Sequence, residues 1–166
     1  TPLGTTAGGT TVSGASSVLD LNGYTLGTTE ALTLSGALAA GALQNNSSAN
    51  VDYSGQVVLG AASTIISNYG DINITATGNI TGNTFALTIG GAGNGILASN
   101  LNTTTGTLTK NGVGLWTISG GASTFTGATT VSAGTLKLGS AGSGSNTPLG
   151  TSAGGISITS GAIFDL

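Results

Sequence analysis

The sequence predicts an all-β fold of the solenoid type, in which short strands stack coil upon coil. Three observations carry this. Runs of about four or five residues alternate apolar and polar side chains along the whole chain, with β-branched residues enriched. Each run is closed by Gly, Ser, Asn or Ala. A nine-residue string also recurs: TPLGTTAGG at residues 1–9 returns as TPLGTSAGG at residues 147–155, an offset of 146 (Thr1 to Thr147) with one mismatch. Both prolines sit at the same place in the string. Self-similarity at a fixed period marks stacked-repeat architectures.

The candidate strands, in order, are 10–13, 17–21, 31–35, 56–59, 71–75, 85–89, 106–109, 115–119, 129–132 and 135–138. Alternate positions of a strand share one face. That pairs Leu19 with Leu21, Leu32 with Leu34, Val57 with Leu59 and Ile72 with Ile74. It likewise pairs Leu87 with Ile89, Trp116 with Ile118 and Leu136 with Leu138, all expected to point inward. Asp20, Asn73, Thr117 and Lys137 fall on the opposite, outer face. No segment has helical periodicity.

Strand length separates the β architectures. A membrane barrel uses strands of about 9–11 residues with aromatic girdles. These runs are half as long, and aromatic residues make up 4 % of the chain. A sandwich has a broader spacing and usually a larger aromatic core. Coils of roughly 20–24 residues would give about seven or eight turns and some 35 Å of rod.

Composition agrees with one packed domain. Charged residues are 4 %, hydrophobic residues 38 % and mean hydropathy +0.35, so a core is affordable and a solvated disordered tail is not expected. Gly is 31 of 166 but not at every third position, and Pro is 2, which excludes collagen. No apolar run is long enough for a transmembrane helix, so no membrane insertion is expected of this segment. The chain opens without a signal peptide and stops inside an alternating run, as expected of a piece of a longer polypeptide. Residues 1–166 are read as a single solenoid segment, with a repeat unit of about 1–146 and the next unit starting at 147. SVLDL at 17–21 answering AIFDL at 162–166 extends the match.

Residues 108–139 read LTKNGVGLWTISGGASTFTGATTVSAGTLKLG. Leu108-Thr109-Lys110 is followed by Gly112 and Gly114, then Ser119-Gly120, Thr124-Phe125-Thr126-Gly127, Thr129-Thr130-Val131, Gly134 and Thr135-Leu136-Lys137-Leu138-Gly139. This order resembles the autotransporter-associated β-strand repeat of bacterial surface-protein passenger regions. It departs at Trp116, where a smaller aliphatic residue is usual, and by one extra residue near Gly121. The resemblance implies a right-handed parallel β-helix, open-ended, outside a bacterial cell. It implies a stalk, fibre or adhesin shaft whose partners are further copies of the repeat, in the same chain or end to end, with host or surface glycans as a further partner class. The alternatives are a glycan- or ice-binding module displayed on the helix, for which Thr10-Thr11, Thr103-Thr104-Thr105 and Thr129-Thr130 are candidate rows, and a β-helical polysaccharide-degrading enzyme.

Chemical motifs are sparse, so no catalytic, cofactor or metal residues are assigned. The chain has no His, Cys or Arg, which removes Ser-His-Asp and Cys-His systems and zinc sites of those ligands. Asp20, Glu30, Asp52, Asp71 and Asp165 are far apart, but Asp52 and Asp71 are about one coil apart and are the candidate carboxylate pair for calcium or glycoside hydrolysis. Gly90-Gly91-Ala92-Gly93-Asn94-Gly95 lacks the third Gly of G-x-G-x-x-G and the Lys of a phosphate loop, and reads as a corner. Net charge is −3, which offers nucleic acid no basic patch. Trp116 is expected inside, and Tyr24, Tyr53 and Tyr69 are the candidates for exposed contacts. Sequons at Asn45, Asn46, Asn73, Asn79 and Asn102 are read as incidental, and the many Asn residues as candidates for coil-to-coil ladders.

Overall fold

The computed structural model describes residues 3–36 and 41–166. Short strands form throughout, and the described residues contain no α-helix. Every strand pairing is parallel, and the strands fall into three sheets. The first sheet stacks β1 (Thr10–Ser13), β3 (Leu32–Ser35), β6 (Val57–Leu59), β9 (Asn79–Thr81) and β12 (Asn100–Asn102). The second stacks β2 (Leu19–Asp20), β4 (Leu43–Asn45), β7 (Ser63–Ser67), β10 (Leu87–Gly91), β13 (Leu108–Lys110), β15 (Thr129–Val131) and β17 (Ile156–Ile158). The third stacks β5 (Val51–Tyr53), β8 (Ile72–Ile74), β11 (Gly95–Leu97), β14 (Leu115–Ile118), β16 (Thr135–Leu138) and β18 (Ile163–Asp165). The chain visits the three sheets in turn and winds a β-solenoid of about six turns.

Seven or eight turns were expected from uniform coils. The last coil is longer than the rest: Leu136 stacks on Phe164, with a long irregular corner between β16 and β17. Beyond β12 the first sheet continues without regular strands. There the Phe125 N–H donates to the Leu101 carbonyl at 3.3 Å, and the Thr151 N–H to the Phe125 carbonyl at 3.0 Å.

Strand length decides how the core is filled. A three-residue strand puts its first and third side chains inside and its middle one outside, the pattern of β4, β6, β8, β13 and β15. The inward side chains form one continuous core in which Leu32, Leu34, Ile72, Ile74, Ile89, Trp116, Ile118 and Leu136 are fully buried. Of the expected inward residues, Leu19 and Leu138 are only half-buried. The outward set is as expected, with Lys137 exposed and Asp20, Asn73 and Thr117 half-buried. Lys137 forms an ion pair with Asp165 at 3.4 Å, one coil on.

Trp116 has room because its stacked partner in β11 is Gly95. A Cβ at Gly95 would stand 2.8 Å from the indole ring. The indole Nε1 donates to the Gly90 carbonyl at 3.2 Å. The large residue at this position of the motif is therefore matched by a missing side chain one coil earlier.

Candidate functional site

The features that set this solenoid apart from a plain apolar stack lie at the corner between the second and third sheets. Three successive coils turn there on a glycine with positive φ: Gly91 at 108°, Gly112 at 70° and Gly134 at 63°. These glycines lie over one another, and a Cβ on Gly112 would meet the Gly91 backbone at 2.4 Å. Tight turns of this kind leave carbonyl oxygens aimed inward, where water cannot reach, so they need internal donors.

Polar side chains in the core supply them. Lys110 is in phase with Leu108 and is fully buried. Its Nζ donates to the carbonyls of Asn111 at 2.8 Å, Gly112 at 2.8 Å and Ala133 at 3.0 Å, which uses all three ammonium hydrogens. Burial pushes its pKa down from 10.5 to about 8. Nearer the start, Asn45 does the same work. The two hydrogens of its Nδ2 serve the carbonyls of Ala49 at 2.8 Å and of Gly70 and Asp71, both at 3.1 Å, so one is shared, while its Oδ1 accepts from the amides of Gly23 and Ser47. The Ser67 hydroxyl donates to the Gly70 carbonyl at 2.6 Å. Asn45 is therefore no glycan acceptor, since it is fully buried.

Outside the same corner runs a second ladder. Asn50 Oδ1 accepts the Asp71 amide at 2.8 Å, Asp71 Oδ1 accepts the Asn94 amide at 3.3 Å, and Asn94 Oδ1 accepts the Leu115 amide at 2.9 Å. The steps are 21, 23 and 21 residues, one coil each. Each side-chain oxygen replaces a backbone acceptor that the corner lacks. Asn79 and Asn100 make a similar pair, with Asn100 Nδ2 donating to Asn79 Oδ1 and Asn100 Oδ1 accepting the Ala122 amide. The Asn ladders anticipated from composition are present.

The candidate carboxylate pair is not brought together by the register. Asp52 stacks against Asn73, whose Nδ2 donates to Asp52 Oδ1 at 2.8 Å, and Asp71 belongs to the corner ladder. Among the described residues no group of three acidic, His or Cys side chains is placed to hold a metal ion. Tyr24 and Tyr69 are exposed, but Tyr53 is fully buried: it is in phase with Val51, and its hydroxyl donates to the Glu30 carbonyl. Burial, with the Glu30 charge behind it, pushes the phenol up to about 12. Asp20 accepts from the amides of Asn22 and Asn46 and from Gln44 Nε2. Burial alone would raise its pKa, but these bonds outweigh it and hold the carboxyl below its ordinary value.

The sequence offered scattered threonine runs, and register turns some of them into a column. On the outer face of the second sheet Thr88, Thr109, Thr130 and Ser157 stand one above the other, in register with Thr64, which is itself buried. Period 21 spacing of Thr88, Thr109 and Thr130 was the signal in the sequence.

No helix among the described residues is long and apolar enough to cross a membrane. No curated protein and no solved structure matches the chain. The residues that run from the Lys110 clamp through Trp116, Phe125 and the Gly134 turn to β16, residues 108–138, match the family model of the passenger-associated-transport-repeat.

Proposed function

We propose that the chain is a structural segment of a secreted or surface-exposed bacterial protein, and that it builds a stalk, fibre or adhesin shaft by stacking β-helical coils. The reading is supported above all by the passenger-repeat match lying within an unbroken parallel stack. In such a stack each coil is the template for the next, so length is added without changing the cross-section. The role is non-enzymatic, and the partners are further copies of the same repeat. Electron microscopy of the purified protein tests the reading: rods of uniform width are expected, and compact globules would overturn it. Protease treatment of intact bacterial cells tests the location, because a surface shaft is trimmed while cytoplasmic proteins survive.

A second reading, a module that binds glycan or ice through the second sheet, is favoured by the hydroxyl column Thr88, Thr109, Thr130 and Ser157. Thermal hysteresis or retention on a glycan array, lost when Thr109 and Thr130 become Val, would support it.

A further inference from the structure

The two copies of the nine-residue string adopt the same turns but lead onto different sheets. Gly4 and Gly150 have φ of 99° and 80°, and Gly9 and Gly155 have φ of 61° and 64°. Thr1 and Pro2 lie outside the described residues. After Gly9 the chain enters β1 on the first sheet, whereas after Gly155 it enters β17 on the second. The next strands keep the displacement: Leu19–Asp20 lies on the second sheet, and Phe164-Asp165 in β18 on the third. From β1 to β17 the chain thus makes six turns and one sheet more.

Two apolar grooves carry the same signature. Leu3, Leu19 and Leu21 line a groove of about 310 Å³ on the first coil. Their counterparts Leu149, Phe164 and Leu166 line one of about 640 Å³ together with Leu138 and Gly139 of the preceding coil. In the first copy the following coil covers Leu21, which is 4 % exposed. That cover is β4, whose Gln44 carbonyl accepts the Leu21 amide at 2.9 Å, while in the same coil Thr33 of β3 stacks on Thr11 of β1.

We propose that successive copies of this 146-residue unit stack with each copy turned by one sheet, the second copy placing its own Thr33 beside Ser157 as Thr33 lies beside Thr11 in the first. This rests on the reading of the chain as a shaft repeat. An outer column then moves to the next side of the rod in each copy and returns to its own side after three. With coils about 4.8 Å apart, each copy adds about 30 Å and the full cycle is about 90 Å. The hydroxyl column of the second sheet appears on all three sides in turn, so a shaft of many copies has no single binding side.

The test is a chain of two copies, made by following Leu166 with residues 22–146 again. Stacked neighbours in parallel strands are within disulfide reach. Three cysteine pairs are compared under mild oxidation and read by mass spectrometry. Thr130→Cys with Ser157→Cys is expected to close, as is Ser157→Cys with Thr33→Cys in the second copy, while Thr124→Cys with Ser157→Cys stays reduced. Closure of the Thr124 pair in place of the Thr130 pair would mean that copies stack in phase and would overturn the proposal. An open pair between Ser157 and the second Thr33, in a chain with full β-type circular dichroism, would mean that copies do not stack on this end. Neither result decides whether the single chain forms rods, so failure of the inference is distinguishable from failure of the shaft reading.

Discussion

Lys110 Nζ reaches across a coil boundary to the carbonyl oxygen of Ala133, 3.0 Å away. The same nitrogen holds two carbonyls of its own coil, so one side chain fixes the corner of one turn against the corner of the next. A lysine in a motif of this composition looks like a surface charge. Here it is a clamp.

Lys110→Ala removes three hydrogen bonds and opens a cavity in the core. A loss of about 2–5 kcal/mol is expected by analogy with other buried truncations. Urea unfolding followed by circular dichroism measures it, and a change within 0.5 kcal/mol on that scale, as for ordinary surface sites, would show that the clamp carries no weight.

The clamp also sets a pH dependence. The folded pKa of about 8 lies below the ordinary 10.5. Between those values the unfolded chain binds a proton that the folded chain does not, so stability rises with pH through that window, by up to about 1.4 kcal/mol per pH unit. Tyr53 acts in the opposite sense, because its folded pKa of about 12 exceeds the ordinary 10. Above pH 10 the unfolded chain loses a proton that the folded chain keeps, and stability falls. Unfolding midpoints should therefore climb from pH 8 towards 10 and then decline, and Lys110→Met should abolish the climb.

Gly95→Ala places a methyl group 2.8 Å from both the Trp116 ring and the Ile72 carbonyl. A cost of about 1–3 kcal/mol is expected from overpacking. Gly78→Ala is the control, since nothing lies within 4 Å of its added methyl and its φ is not positive. It should be neutral or gain up to about 1 kcal/mol. Thermal melts of the two variants read the contrast directly.

Ile118→Asp buries an unpaired carboxylate in β14, where Ile118 is fully buried. A loss above about 4 kcal/mol is expected, whereas Thr117→Asp, one residue away on the outer face, should cost less than about 1 kcal/mol. Equal effects from the two substitutions would reverse the assignment of faces.

Trypsin has two possible targets in this chain, and they are not equivalent. Lys137 is exposed and Lys110 is fully buried under its carbonyls. Brief digestion of the native protein should give fragments ending at Lys137 before any ending at Lys110, as read by mass spectrometry.

The alternating runs rich in Val, Ile and Leu were legible as strands, and β1 and β16 have the bounds read from the sequence. The strands that escaped notice are Leu43–Asn45, Val51–Tyr53, Ser63–Ser67, Asn79–Thr81, Gly95–Leu97, Asn100–Asn102 and the last two. Asn79–Thr81 and Asn100–Asn102 have poor intrinsic β propensity and are held extended by the coils on either side. Of the buried polar residues Asn45, Tyr53 and Lys110, only Tyr53 had been expected outside, and the other two had been given no side. Asn45, Tyr53 and Lys110 each stand two positions after an inward aliphatic residue, so the same period that placed Leu and Ile inside also placed them inside. For Tyr53 residue type suggested the surface, and register decided otherwise. What the sequence alone could not supply is the list of carbonyls waiting at the corner, because that depends on how one coil lies over the next.

The hydrogen bonds of all three sheets run from coil to coil, along the axis of the stack. A force that pulls on the rod lengthwise therefore loads the bonds of one coil boundary at a time, as in peeling, instead of shearing many at once. The coil that yields releases about 70 Å of extended chain for a 21-residue step, while the coils behind it stay folded. Tension is then dissipated in increments, and a relaxed chain has an intact coil edge on which to rewind.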